Sequence, residues 1–105
     1  MSYNLFLDDK RIPRDCRNYN GDESIYDTEE FIKVSSFEEF YQIIKTKGIP
    51  KFVSFDFDLG YNKKNGLDCA KYLKFECDEL GVSIPDYNIH SMYPGVTPKF
   101  KEILG

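Results

Sequence analysis

The sequence predicts an α/β domain: a mainly parallel sheet of about four strands with flanking helices. Three observations carry that prediction. The chain has 105 residues, enough to build one core and too few for two. After a first pair of strand-length apolar runs, such runs alternate with segments whose apolar residues recur at helical spacing, the order that produces a parallel sheet. The first and third apolar runs both stop abruptly at aspartates, so carboxylates collect at the ends of strands.

Taken in order, residues 3–8 form a short buried strand that ends in Asp8 and Asp9. Residues 10–30 are polar and irregular, a long loop with Pro13 and Gly21, and loops of that length are often functional. Residues 31–34 supply a second strand. Ser35 and Ser36 each precede a glutamate by three residues, Glu38 and Glu39, which gives two overlapping capping-box signals. Phe37, Phe40, Tyr41 and Ile44 then mark one helical face, closed by Gly48 and Pro50. The third strand covers 51–55, apolar apart from Ser54, and terminates at Asp56 and Asp58. A polar turn from Gly60 to Gly66 leads to a helix from Asn65, with Leu67, Ala70, Leu73, Cys77 and Leu80 inward and Gly81 as the stop. Pro85 introduces a fourth strand over 87–91. Thr97 as N-cap and Pro98 as first helical residue open a last helix through Phe100, Ile103 and Leu104.

Composition narrows the function classes. Apolar residues make up 41% and aromatics 16%, with nine Phe, eight Tyr and no Trp, which excludes a disordered chain, a collagen-like chain and a disulfide miniprotein. No run approaches the roughly 20 apolar residues of a membrane span, and the N-terminus lacks a signal-peptide pattern. Three cysteines without a C-x-x-C pair point to a reducing cytoplasm and no thiol chemistry; Cys77 reads as core and Cys69 as a helix flank. With 14 basic against 18 acidic residues and a net charge of −4, non-specific nucleic-acid binding is not expected, because that affinity comes from neutralising phosphates.

Ligands of open parallel sheets bind at the carboxyl ends of the strands. Here that edge receives Asp8 and Asp9 from strand one, Asp56 and Asp58 from strand three, and His90 and Ser91 from strand four. Crowded carboxylates either rise in pKa or recruit a cation. A hard divalent ion, Mg2+ or Mn2+, fits an all-oxygen pocket with positions left for water and a substrate phosphate. His90, the only histidine, is expected to have its pKa raised by a neighbouring carboxylate and to act as a general acid. Ser91 points to the opposite face from His90 and offers a hydroxyl to a phosphate oxygen. Gly95, after Pro94, lies in a turn whose amides suit an anion. Lys10, Arg11 and Arg14 follow the first acidic pair within reach of a phosphate.

An acidic pair after strand one, an aspartate after strand three and a hydroxyl residue after strand four resemble the receiver domains of two-component signalling. More closely, the segments Leu5 to Pro13, Ser54 to Gly60 and His90 to Gly95, with Gly66-Leu67-Asp68 between them, resemble the cyclic-phosphate-processing receiver-like family. The resemblance implies a receiver-like, flavodoxin-like domain over 1–105. Because the chain ends at Gly105, the fifth strand and the lysine that follows it in receivers are expected to be missing, leaving a sheet edge open for a homodimer. It implies Asp8, Asp9 and Asp56 as metal ligands, and Asp58 and His90 as catalytic groups facing the phosphate. Phe57 stands where many relatives carry histidine, and Tyr93 where many carry asparagine; both aromatics suit stacking on a base. The expected function is a metal-dependent phosphoesterase acting on a cyclic nucleotide or a cyclic-phosphate RNA end, with a small phosphorylated ligand, a nucleotide, as partner. Two alternatives stand beside it: a degenerate receiver-like domain that binds a nucleotide or a protein, and a receiver that accepts a phosphoryl group on Asp56.

Overall fold

A computed structural model of the chain describes residues 2–16, 25–26, 29–91 and 93–105. Most of residues 17–28, which belong to the expected loop, and Met92 within the His90 to Gly95 motif therefore lie outside the described residues. Four strands form one all-parallel sheet: β1 (Asn4–Leu7), β2 (Ile32–Val34), β3 (Phe52–Phe55) and β4 (Asp86–Ile89), in the order β2-β1-β3-β4. Among the described elements, three α-helices accompany it: α1 (Phe37–Lys47), α2 (Gly66–Leu80) and α3 (Val96–Leu104). The α/β architecture with a four-stranded parallel sheet expected from the sequence is the one observed.

The first two helices begin where a side chain satisfies their free N–H groups, although the details differ from expectation. Ser36 caps α1 and its side chain accepts from the Glu39 amide, while Glu39 reaches back one residue further, to the Ser35 amide at 2.7 Å and hydroxyl at 2.9 Å. Asn65 caps α2 with a reciprocal box to Asp68, and Gly81 ends it in the left-handed region. The last helix starts earlier than expected: Gly95, at φ +72°, is the N-cap, and Val96 is the first helical residue. Glycine takes that φ without a Cβ penalty, and Pro98 sits in the first turn, where a missing N–H costs nothing.

The two faces of the sheet are built differently. Leu5, Leu7, Val53, Phe55 and Ile89 face all three helices, meeting Phe40 and Ile44 of α1, Ala70, Leu73 and Cys77 of α2, and Phe100 and Leu104 of α3. Cys69, expected on a flank, belongs to this core, and Leu80, expected inside, is exposed: the last turn of α2 runs past the sheet. The other face carries Phe6, packed with Cys16 from a 3-10 turn (Pro13–Cys16) and with Tyr26. No helix among the described residues is long and apolar enough to cross a membrane.

Candidate functional site

The parallel ladder runs one residue past the strands and aligns the chemistry. The Asp56 amide donates to the Leu7 carbonyl at 3.0 Å, the His90 amide to the Phe55 carbonyl at 2.9 Å, and the Asp8 amide to the Val34 carbonyl at 3.0 Å. Since Leu7, Phe55 and Ile89 are in register, Asp8, Asp56 and His90 form the next row at the carboxyl edge. Asp8, Asp9 and Asp56 bring carboxylate oxygens within 4.8 Å of one another. With Lys10, Arg11, Asp58, Ser91 and Tyr93 they line an open hollow of about 350 Å³.

Asp8 is the most heavily bonded of the three. Its Oδ1 accepts from the backbone amides of Lys10 and Arg11 at 2.8 and 3.0 Å. Its Oδ2 accepts from Arg11 Nε at 2.9 Å and pairs with His90 Nε2 at 3.0 Å. Burial pushes its carboxyl up, but the His90 bond, the two amides and the Arg11 charge hold it well below the usual carboxylate range. Asp56 goes the other way. Burial and the Asp8 charge raise it to about 6, against the Phe57 amide and Arg11. Arg11 reaches Asp56 Oδ1 at 3.5 Å and so spans both buried carboxylates.

His90 does not sit where an acid for an incoming substrate would sit. It is fully buried and stacks on Phe6, centroids 4.5 Å apart and rings 3° from parallel. Its pKa is lowered rather than raised, because burial outweighs the Asp8 carboxylate. The parity of the strand explains this: His90 shares the Phe6 side of the sheet, while Ser91 turns to the hollow.

A neutral imidazole beside an ionised Asp8 must donate from Nε2 and accept at Nδ1. Ser54 Oγ therefore donates to Nδ1 at 2.6 Å, Tyr26 donates to Ser54 at 2.7 Å, and Asn88 Nδ2 donates to Tyr26 at 3.0 Å. This buried relay, Asn88–Tyr26–Ser54–His90–Asp8, was not expected. Its one sequence signal is Ser54, a lone polar residue inside an apolar strand. Cys16 lies with Asp8 and His90 in a second close group, but both His90 nitrogens are engaged, and burial pushes the Cys16 thiol up to about 11.

The remaining expected residues fall around the rim. Asp58 is exposed and accepts from the Gly60 amide at 3.0 Å. Phe57 and Tyr93 pack on each other, centroids 4.7 Å apart, with Tyr93 56% exposed. Among the described residues Phe57 and Gly95 do not line the hollow; Gly95 belongs to the α3 cap. Gly66 is a further positional requirement. Its amide donates to the Phe57 carbonyl at 2.7 Å, and a Cβ there would stand 1.8 Å from the Asp56 carbonyl oxygen. Only glycine lets α2 start this close to the Asp56 backbone.

The acidic triad fits a hard divalent cation, since its donors are all carboxylate oxygens and a positive group, the Arg11 guanidinium, already lies across two of them. The profile of a family described as the cyclic-phosphate processing receiver domain matches residues 3–104. No curated protein is similar enough to count as a relative. Among solved structures, a fusion carrying residues 181–211 of the yeast Spc42 trimeric coiled coil superposes with a TM-score of 0.60 at 12% identity, over 100% of this chain and 64% of that one. NtrX from Brucella abortus superposes with a TM-score of 0.56 at 17% identity, over 98% of this chain and 26% of that one. The chain thus spans less than two thirds of either protein, and these likenesses speak for the fold alone.

Proposed function

The chain belongs to the cyclic-phosphate processing receiver domain family, and on that premise we propose that it is a divalent-metal-dependent phosphoesterase acting on a cyclic phosphate. The observation that carries this reading is the gathering of Asp8, Asp9 and Asp56 beside a hollow that also presents Arg11, Asp58 and Ser91. The three aspartates would hold the ion, which when bound supplies charge for the phosphoryl oxygens and an activated water. Arg11 and Ser91 suit the phosphate oxygens, and Asp58, exposed at the rim, would exchange a proton with substrate. His90 serves as a positioning residue: buried and neutral, it fixes the Asp8 carboxylate rather than meeting the ligand.

A second reading, a binder without turnover, draws on the exposed Tyr93 ring backed by Phe57, which offers a face to a base. Incubation with Mg2+ or Mn2+ and a panel of linear and cyclic nucleotides, followed by mass spectrometry, separates the two. Hydrolysis of a cyclic phosphate that disappears in Asp56→Asn supports the phosphoesterase. Saturable binding of the same compounds without product favours the binder.

A further inference from the structure

Asp8 is saturated. A carboxylate offers about four lone-pair sites, and four donors occupy them: two backbone amides on Oδ1, and His90 Nε2 with Arg11 Nε on Oδ2. A cation can reach Asp8 only where one donor leaves. The two amides are fixed by the turn after β1, and His90 is fully buried and held by Phe6 and Ser54. Arg11 differs: its side chain is 28% exposed, it already lines the hollow, and its second carboxylate contact, to Asp56, is long at 3.5 Å.

We propose that the Arg11 guanidinium is a resident counter-ion that a divalent metal must displace from Asp8 and Asp56, and that the displaced guanidinium then binds the phosphate, so that anion binding is conditional on the metal. The inference rests on the reading of Asp8, Asp9 and Asp56 as a cation site and adds what that reading lacks, an order and a coupling. The Arg11 amide bond to Asp8 Oδ1 keeps the backbone in place while the side chain turns outward. Because coupling between two ligands is reciprocal, phosphate tightens the metal as much as the metal tightens phosphate.

Calorimetric titration of the full chain with Mg2+, with and without inorganic phosphate, tests this on wild type, Arg11→Gln and Arg11→Lys, with thermal melts to verify folding. Arg11→Gln should bind Mg2+ about tenfold more tightly than wild type, the order of a typical allosteric coupling, and should lose the mutual tightening between Mg2+ and phosphate. Arg11→Lys keeps the charge without the planar fork, so it too should gain Mg2+ affinity. Unchanged or weaker Mg2+ binding in Arg11→Gln, where wild type binds, overturns the displacement and leaves the cation site standing. A gain in Arg11→Gln that Arg11→Lys does not share reduces the effect to bulk charge and also overturns it. Mg2+ binding by Arg11→Gln with none by wild type is the strongest support. No binding of Mg2+ or Mn2+ by any of the three removes the cation site, and the proposed function with it.

Discussion

One face of the sheet is apolar and covered by three helices; the other carries a line of hydrogen-bonded polar side chains beneath the 3-10 turn and Tyr26. The difference is one of physics as well as appearance. Burial on the helix face follows from transfer of apolar area out of water, which tolerates many side chains of suitable size. On the other face every buried polar atom needs a partner, so Asn88, Tyr26, Ser54, His90 and Asp8 are mutually dependent. The first face holds the sheet together. The second holds one carboxylate, Asp8, in a fixed position and ionised at the edge where the acids meet.

The sharpest way to break this division is at the point where the helix face touches the site. Gly66→Ala drives a Cβ into the Asp56 carbonyl and against the Phe100 ring at 3.0 Å. It should cost about 4 kcal/mol or more, an exceptional value for one methyl group, read by urea unfolding. Phe55→Ala, wholly on the helix face, should cost about 3–5 kcal/mol by cavity formation. It should leave Mg2+ affinity close to wild type wherever the variant is folded, measured by calorimetry. Ser54→Ala, its neighbour on the opposite face, should cost only about 1–3 kcal/mol, the penalty of leaving His90 Nδ1 without its donor, yet it should weaken Mg2+ binding by loosening the imidazole that positions Asp8. If Phe55→Ala and Ser54→Ala altered metal affinity equally, the two faces would not divide stability from function.

The smallest expected effect is a gain. Asp56 has its carboxyl raised to about 6 by burial and the Asp8 charge, so ionising it opposes folding. Below the ordinary carboxylate range both folded and unfolded states are protonated and the penalty is absent; it grows as pH rises through the folded value and is complete above it. Asp56→Asn should therefore be more stable than wild type at pH 7 by about 1–2 kcal/mol, the roughly 3 kcal/mol that a shift of this size is worth less what the lost Arg11 contact contributes, with the advantage vanishing by about pH 4. Thermal melts across that range check the sign. An advantage that grew on acidification would contradict the raised pKa.

The sequence made the helix face legible because periodicity reports burial directly: Phe40 with Ile44, and Ala70, Leu73 and Cys77, recur at helical spacing and all are buried. The acids at the strand ends were legible for a similar reason, since an apolar run that stops at Asp8 or Asp56 marks a strand terminus. Leu80 misled because it keeps the spacing of α2 beyond the point where the sheet can cover it. Thr97 misled because Gly95 offers the left-handed turn that starts α3 two residues earlier. His90 misled most. Its place after a strand, near carboxylates, suggested a general acid with a raised pKa, and nothing local reveals that it is buried against Phe6 and bonded to Ser54.

What the sequence by itself determined, then, is the set of strands and helices, their parallel arrangement and the edge at which the carboxylates gather, because these depend on local spacing and on where apolar runs end. What only the tertiary structure decided is the state of the groups at that edge. Asp8 is held ionised, Asp56 raised, His90 neutral and Arg11 stretched across two carboxylates, because burial and hydrogen bonding depend on residues brought together from far along the chain.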